Sequence, residues 1–260
     1  MPDVADSKLD AMLDGLRRDF AVTAKQKLID LDGQLLTLSS QGIDDPEIVA
    51  TMQREIHSLK GMGGTFGYPA ITAIAHRLED FIANVGSFAE RADDVLVFID
   101  CLSDILEIDP QPDNDELSRI VRNLPAGKKG PVVDSVVREL EVLVIVPNHV
   151  LRPLLQHHLE QNGCRVVGSD SPFEAIELCV RTQPDLVITS VVLKDIDGID
   201  LLRTLDVMKS TQRMELAVLT SLSLDDPQLD QLPDKAWVIS TGEDMENNFL
   251  EILGNLRQRD

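Results

Sequence analysis

The sequence predicts a two-domain protein, an all-α helical bundle followed by an α/β domain on a five-stranded parallel sheet. Three observations carry this. The length, 260 residues, fits two ordinary domains. Up to residue 124 the apolar residues recur at three and four, the period of a helix. After residue 140 short apolar runs alternate with amphipathic segments, the pattern of strands joined by helical crossovers. Between them lies Pro125-Ala-Gly-Lys-Lys-Gly-Pro131, a stretch with Pro and Gly punctuation and little to bury. The expected boundaries are 1–124 for the bundle, 125–140 for a linker and 141–260 for the second domain. Val132–Leu140 could be a short helix or an extended lead-in.

The elements follow in order. Leu9, Leu13, Leu16 and Phe20 begin a helical stripe that Leu28, Leu31, Leu35 and Leu38 continue. Ile48, Met52, Ile56 and Leu59 form the next face. Pro69 is well placed as a first helical residue, ahead of Ile71, Ile74, Ala75, Leu78 and Ile82. Val95, Phe98, Ile99, Leu102 and Leu106 make another helix, and Leu117, Ile120, Val121 and Leu124 a short last one. In the second half the expected strands are Val142–Val146, Arg165–Gly168, Leu186–Val191, Leu216–Thr220 and Ala236–Ser240. The expected helices are 150–161, 172–181, 199–208 and 245–256. The segment 225–233 has no defined pattern. Each strand is a short, nearly continuous apolar run, as in a parallel sheet covered on both faces.

Composition removes several function classes. The net charge is −21, which repels nucleic acid and anionic membrane and favours positively patched proteins as partners. Both halves share it. Residues 1–124 hold 11 Lys/Arg against 23 Asp/Glu, and residues 141–260 hold 10 against 20. Aromatics make up 3%, too few for a stacking platform. Cys101, Cys164 and Cys179 form no metal or disulfide pattern. No apolar run is long enough for a bilayer, and the start has no secretory pattern. These features point to a cytoplasmic protein. Gly61, Gly63, Gly64 and Gly67 follow no strand and lack the spacing of a nucleotide loop. His149, His157 and His158 read as solvated surface residues rather than metal ligands, and neither metal nor cofactor is expected.

The densest run of unusual choices is Glu55-Ile-His57-Ser-Leu-Lys60-Gly61-Met-Gly63-Gly64-Thr-Phe-Gly67. On a helix over 48–66, Ile48, Val49, Met52, Ile56, Leu59, Met62 and Phe66 gather on one side. Gln53, Arg54, His57, Lys60, Gly61 and Gly64 gather roughly 150° away. His57 therefore points out of the core, on a stripe with two bases and no acid. A glycine inside a helix costs about 1 kcal/mol relative to Ala. Gly61 and Gly64 make sense if another molecule must approach the imidazole. On spacing alone, a surface histidine beside close-packing glycines accounts for the pattern equally well.

Ile-His57-Ser-Leu-Lys60-Gly61, then Gly64, then Leu78-Glu79 closing the next amphipathic stretch, resembles the histidine phosphotransfer (HPt) family over residues 1–124. That resemblance implies a four-helix bundle in which His57 carries a phosphoryl group and Lys60 assists electrostatically. It also implies that Gly61 and Gly64 clear a docking surface for a receiver domain. His76, near a position often occupied by Cys in that family, is taken as a packing variation. Neutral imidazole suits the role, being nucleophilic near pH 7.

The second half resembles the receiver domain of two-component signalling, a flavodoxin-like fold of strand order 2-1-3-4-5. The best stretch is Pro184-Asp-Leu-Val-Ile-Thr-Ser190-Val-Val-Leu-Lys194-Asp-Ile-Asp197-Gly198, where receivers read PDLVLLD followed by a P and a D-G. The catalytic positions fail. The acidic pair after the first strand is Pro147 and Asn148, the phosphoacceptor is Ser190, and the lysine after the fifth strand is Thr241 or its neighbour. Only the hydroxyl, Thr220 or its neighbour Ser221, survives. Magnesium needs several oxygen ligands, usually anchored by carboxylates. The resemblance with these losses implies a pseudo-receiver that is not phosphorylated.

The expected function is a phosphorelay protein whose HPt domain accepts and passes a phosphoryl group at His57, to or from receiver domains of partner kinases or response regulators. The pseudo-receiver would regulate, bind partners or form a homodimer. Such a chain is a phosphohistidine carrier, without an ATP-binding kinase domain. The alternative is a non-catalytic binding module that sequesters a histidine kinase or response regulator.

Overall fold

A computed structural model of the chain describes residues 4–126, 139–147, 151–242 and 245–258, with backbone alone for 4–10. Two compact units divide at residues 127 and 128. The first is entirely helical, with α1 Val4–Gln41, α2 Pro46–Gly63, α3 Pro69–Asn84, α4 Ala92–Glu107 and α5 Asn114–Asn123. Helix α1 packs on α2 and α4, and α3 closes the ring between them. Short connections make neighbouring helices antiparallel. Helix α5 leans on α3.

Local chemistry sets the ends. The Asp45 carboxylate accepts from the Glu47 and Ile48 amides at 2.9 and 3.2 Å, and Pro46 needs no partner at the first position. Asp113 and Glu116 form a capping box on α5. Gly67 turns the α2–α3 corner at φ +80°, a left-handed conformation that favours glycine. Pro69 opens α3 as expected. Helix α2 stops at Gly63, earlier than the expected 48–66. Gly64 is its cap and Phe66 lies in the following turn, although Phe66 still packs on the core. Helix α3 runs five residues beyond Glu79, so the Leu78-Glu79 pair sits within the helix rather than at its end.

The second unit holds β1 Leu140–Ile145, α6 Leu151–Gln161, β2 Cys164–Gly168, α7 Pro172–Thr182, β3 Leu186–Ser190, α8 Gly198–Val207, β4 Glu215–Thr220, β5 Trp237–Ser240 and α9 Met245–Gln258. The strands are parallel, in the order β2-β1-β3-β4-β5. Helices α6 and α9 bury Leu155, Leu159, Phe249, Ile252 and Leu253 against one face. Helices α7 and α8 bury Ala175, Leu178, Leu201, Leu202 and Leu205 against the other.

Between β4 and β5 the alternation breaks. Residues 221–236 make turns and one 3-10 turn, Leu229–Gln231. Pro227 and Pro233 interrupt any longer helix, and Leu229, Leu232 and Ala236 cover the sheet instead. Leu140 opens β1, so the linker expected to run to 140 ends before it, and its residues 127–138 lie outside the described residues. Among the described residues no helix is long and apolar enough to cross a membrane.

Candidate functional site

The turns of α2 beyond Gln53 bury Ile56, Leu59 and Gly63, which turns His57 outward. Its side chain is 73% exposed. Helix α3 then brings a residue that spacing along α2 cannot reveal. Glu79 Oε1 lies 2.9 Å from His57 Nδ1, and Glu79 Oε2 lies 2.7 Å from Lys60 Nζ. One carboxylate thus joins the two bases that the sequence placed one helical turn apart. The stripe has no acid of its own, but it is not free of acid in space, which corrects the face expected from α2 alone.

A carboxylate only accepts, so the hydrogen of this bond belongs to Nδ1. The neutral ring then holds its lone pair on Nε2, on the edge toward solvent. Lys60 and Glu79 are each about one-fifth to one-quarter exposed. Their pair is screened less than a surface pair and pulls the carboxylate into register with the ring. On the Gln53 side of His57 a groove is lined by Gln53, Ile56, Glu79, Ile82 and Ala83.

The glycines differ in what they do. Gly61 faces open space, with nothing within 4 Å of where a Cβ would stand. Gly64 donates its amide to Thr72 Oγ1 at 2.8 Å, and that hydroxyl donates to the Lys60 carbonyl at 3.0 Å. Thr72 thereby stitches the C-terminal end of α2 to α3. Gly63, which the stripe did not single out, is the one whose absent side chain the packing demands. A Cβ there would stand 2.9 Å from the Tyr68 carbonyl and 3.0 Å from the Thr72 amide. The cue was already in the run Gly61-Met-Gly63-Gly64. Assigning Gly63 to packing required the α2–α3 angle. His76 is buried within the bundle.

The carboxyl edge of the sheet gathers the other predicted positions. Pro147 is exposed after β1, and Asn148 and His149 lie outside the described residues. Ser190 ends β3 and donates to the Val192 carbonyl at 3.0 Å. Thr220 ends β4, is buried, and its hydroxyl accepts from the Leu222 amide at 3.0 Å. Thr241 is exposed after β5 and its amide donates to the Thr220 carbonyl at 2.9 Å. Asp197 caps α8, accepting from the Asp200 amide at 2.8 Å, so its carboxylate is a structural terminator. Gly198 lies so close to Ser190 that a Cβ would sit 2.0 Å from the Ser190 carbonyl. The hydroxyls here serve backbone atoms. Among the described residues no group of three His, Cys, Asp or Glu could hold a metal ion. His157 is exposed and its ring pairs with Gln161 at 2.9 Å.

The cysteines stand apart from both sites. Burial pushes Cys164 and Cys179 up to about 12. Burial, with Asp104 second, pushes Cys101 up to about 11. All three are protonated at neutral pH.

Residues 15–108 match the Hpt domain family and residues 142–231 the response regulator receiver domain family. One curated relative, a protein-glutamate methylesterase/protein-glutamine glutaminase from Hahella chejuensis, is 31% identical over 88 residues. That match covers 34% of this chain and 25% of the relative, so the chain spans a quarter of that protein's length. Among solved structures, the receiver domain of a sensor histidine kinase from Pseudomonas aeruginosa is 18% identical, with TM-score 0.42 over 46% of this chain and 98% of the other. A signal receiver domain of a histidine kinase from Syntrophus aciditrophicus is 24% identical, with TM-score 0.41 over 46% and 90%.

Proposed function

We propose that this chain, an Hpt domain followed by a receiver domain, takes part in a two-component phosphorelay with His57 as its phosphoryl carrier. The observation that carries the proposal is the hydrogen bond from His57 Nδ1 to Glu79, with the opposite edge of the ring exposed. The Nε2 lone pair attacks the phosphorus of an aspartyl phosphate on a partner receiver. A nitrogen–phosphorus bond forms, the phosphorus–oxygen bond to the partner carboxyl breaks, and the carboxylate leaves. No proton has to move, because Nδ1 keeps its hydrogen. The ring gains positive charge that Glu79 faces directly. Lys60 can turn its ammonium to the new phosphoryl oxygens, one helical turn away. The reverse sequence returns the group.

The chain supplies a nucleophile and its orientation. The partner would bring the metal and the acids. The carboxyl edge of this chain's own sheet does not fit magnesium, since Pro147, Ser190 and Thr241 stand where carboxylates and a lysine would hold ion and phosphate. The receiver domain is therefore read as a pseudo-receiver that binds or regulates, and His57 exchanges with other chains.

Mixing the purified chain with a phosphorylated receiver or with a kinase and radiolabelled ATP tests this. The wild type gains acid-labile label and His57→Ala gains none. Label at wild-type level in His57→Ala would refute the carrier role. Acetyl phosphate should leave Ser190 unmodified, and a mass shift on Ser190 would refute the pseudo-receiver. The rival, a module that only sequesters a kinase or regulator, predicts that His57→Ala keeps its cellular effect.

A further inference from the structure

A threonine inside a helix commonly turns back on its own backbone. Thr23, Thr37, Thr51, Thr182 and Thr204 each donate to the carbonyl four residues earlier, at 2.8–2.9 Å. Thr72 behaves differently. Its hydroxyl leaves α3 and crosses to α2. An α-helix ties each amide directly to the carbonyl four residues earlier. On the step from Gly64 to Lys60 lies the Thr72 hydroxyl, which accepts from the Gly64 amide at 2.8 Å and donates to the Lys60 carbonyl at 3.0 Å. Gly64 keeps helical dihedrals, φ −62° and ψ −38°. A side chain from the neighbouring helix thus sits in the ladder of α2 at the point where that helix ends. The hydroxyl has one hydrogen, and it is committed to the Lys60 carbonyl. Gly63 makes the reach possible. The Thr72 amide lies 3.0 Å from where a Gly63 Cβ would stand, so a bare α-carbon there is what lets the α3 backbone come this close.

Lys60 is therefore held at two points by one helix. Thr72 holds its carbonyl, and Glu79, two turns further along the same face of α3, holds its ammonium at 2.7 Å. The two holding points are about 10 Å apart along α3. The carboxylate that takes the ammonium also takes His57 Nδ1, at 2.9 Å. A roll or slide of α2 at Lys60 pulls on Glu79, and the ring bond has little slack, since it is lost by about 3.5 Å. We propose that Thr72 is a positioning residue for His57. Its hydroxyl holds the Lys60 turn of α2, so that Glu79 stays on Nδ1 and Nε2 is the nitrogen left for the phosphoryl group. That role at the phosphoryl step rests on His57 being the carrier, whereas the hold on the tautomer does not.

The full chain with nitrogen-15 histidine reports the tautomer through the shifts of the two ring nitrogens, with no phosphoryl donor present and His57→Ala identifying the signals. At about pH 8, where imidazole is neutral, the wild type should carry its proton on Nδ1. Thr72→Val removes the hydroxyl at nearly constant volume and should move that proton toward Nε2. Mixed with a phosphorylated receiver, the same variant should transfer about three- to tenfold more slowly at saturating receiver, the worth of one neutral hydrogen bond, with the half-saturating concentration unchanged. Thr72→Ser keeps the hydroxyl and should restore both readings. Thr72→Ala lets the Gly64 amide close directly on the Lys60 carbonyl, so it keeps the helix even if valine does not fit, and it should behave as Thr72→Val. Ring shifts and rates at wild-type values in the valine and alanine variants overturn the role of Thr72. So does a loss that Thr72→Ser fails to repair, which would trace the effect to packing. A rise in the half-saturating concentration alone overturns it too, by moving the effect to docking. A tautomer that follows Thr72 in a chain whose wild type takes no label upholds the positioning and refutes the carrier. Label on the wild type with a tautomer indifferent to Thr72 does the reverse.

Discussion

The chain holds two sites that differ in how their polar groups are engaged. Around His57 the charged groups face one another across two helices, with Glu79 reaching both His57 and Lys60. At the carboxyl edge of the sheet the polar groups face the backbone, with Ser190 on a carbonyl and Thr220 on an amide. The first arrangement leaves the outer edge of the His57 ring toward solvent. The second spends its hydroxyls on holding loops. Two regions of one chain thus engage their polar side chains in opposite ways, and the difference is read from where each polar atom is bonded.

The largest effect should come from the residue at the centre of the first site. His57→Ala removes phosphoryl labelling altogether, while Ser190→Ala leaves it unchanged, as measured in one kinase–receiver mixture. Glu79→Gln sharpens the contrast within the helical site. The amide keeps the size but loses the charge that would face a phosphorylated ring. A charge-assisted hydrogen bond is worth about 1.5–3 kcal/mol, so the transfer rate in stopped flow should fall about 10- to 100-fold with docking affinity nearly intact. An unchanged rate would reduce Glu79 to a helix–helix tie.

The glycines give the next largest effect, and in opposite directions. Gly63→Ala forces a methyl against the Tyr68 carbonyl and should cost about 1–3 kcal/mol in the bundle's denaturant midpoint. Gly61→Ala meets nothing and gains helix propensity of roughly 0.5–1 kcal/mol, yet it adds a methyl beside the ring. Stability should rise while transfer slows. The smallest signal concerns the thiols. Burial holds all three protonated, so thiolate forms only as pH rises toward about 11 for Cys101 and about 12 for Cys164 and Cys179. Alkylation of the native chain near neutral pH should be slow at half-buried Cys101 and slower still at the other two, read by mass spectrometry.

Much of this was legible in the sequence because it is periodic. The five strands, their helices and the outward placement of His57 all follow from which residues alternate or recur at three and four. What was not legible needed two elements at once. Glu79 is 22 residues from His57, and nothing in the spacing of α2 announces an acid arriving from α3. Gly63 looked like its glycine neighbours until the Tyr68 carbonyl was placed beside it. The end of α2 was set too late because Phe66 satisfies the core pattern without being helical. The stretch 221–236 lacked a pattern because it is pinned by single residues, Leu229 and Leu232, rather than by a repeating face.

The contact at Gly63 works as the closed end of a pair of calipers. Helices α2 and α3 touch there backbone to backbone and run antiparallel. The tips of the calipers, two turns away, are His57 and Glu79. A fixed hinge at one end sets the gap at the other, so 2.9 Å between ring and carboxylate is a measurement made at a glycine neither of them touches. Wear at the hinge would be felt at the tips, in the distance that decides which nitrogen of the His57 ring is left bare.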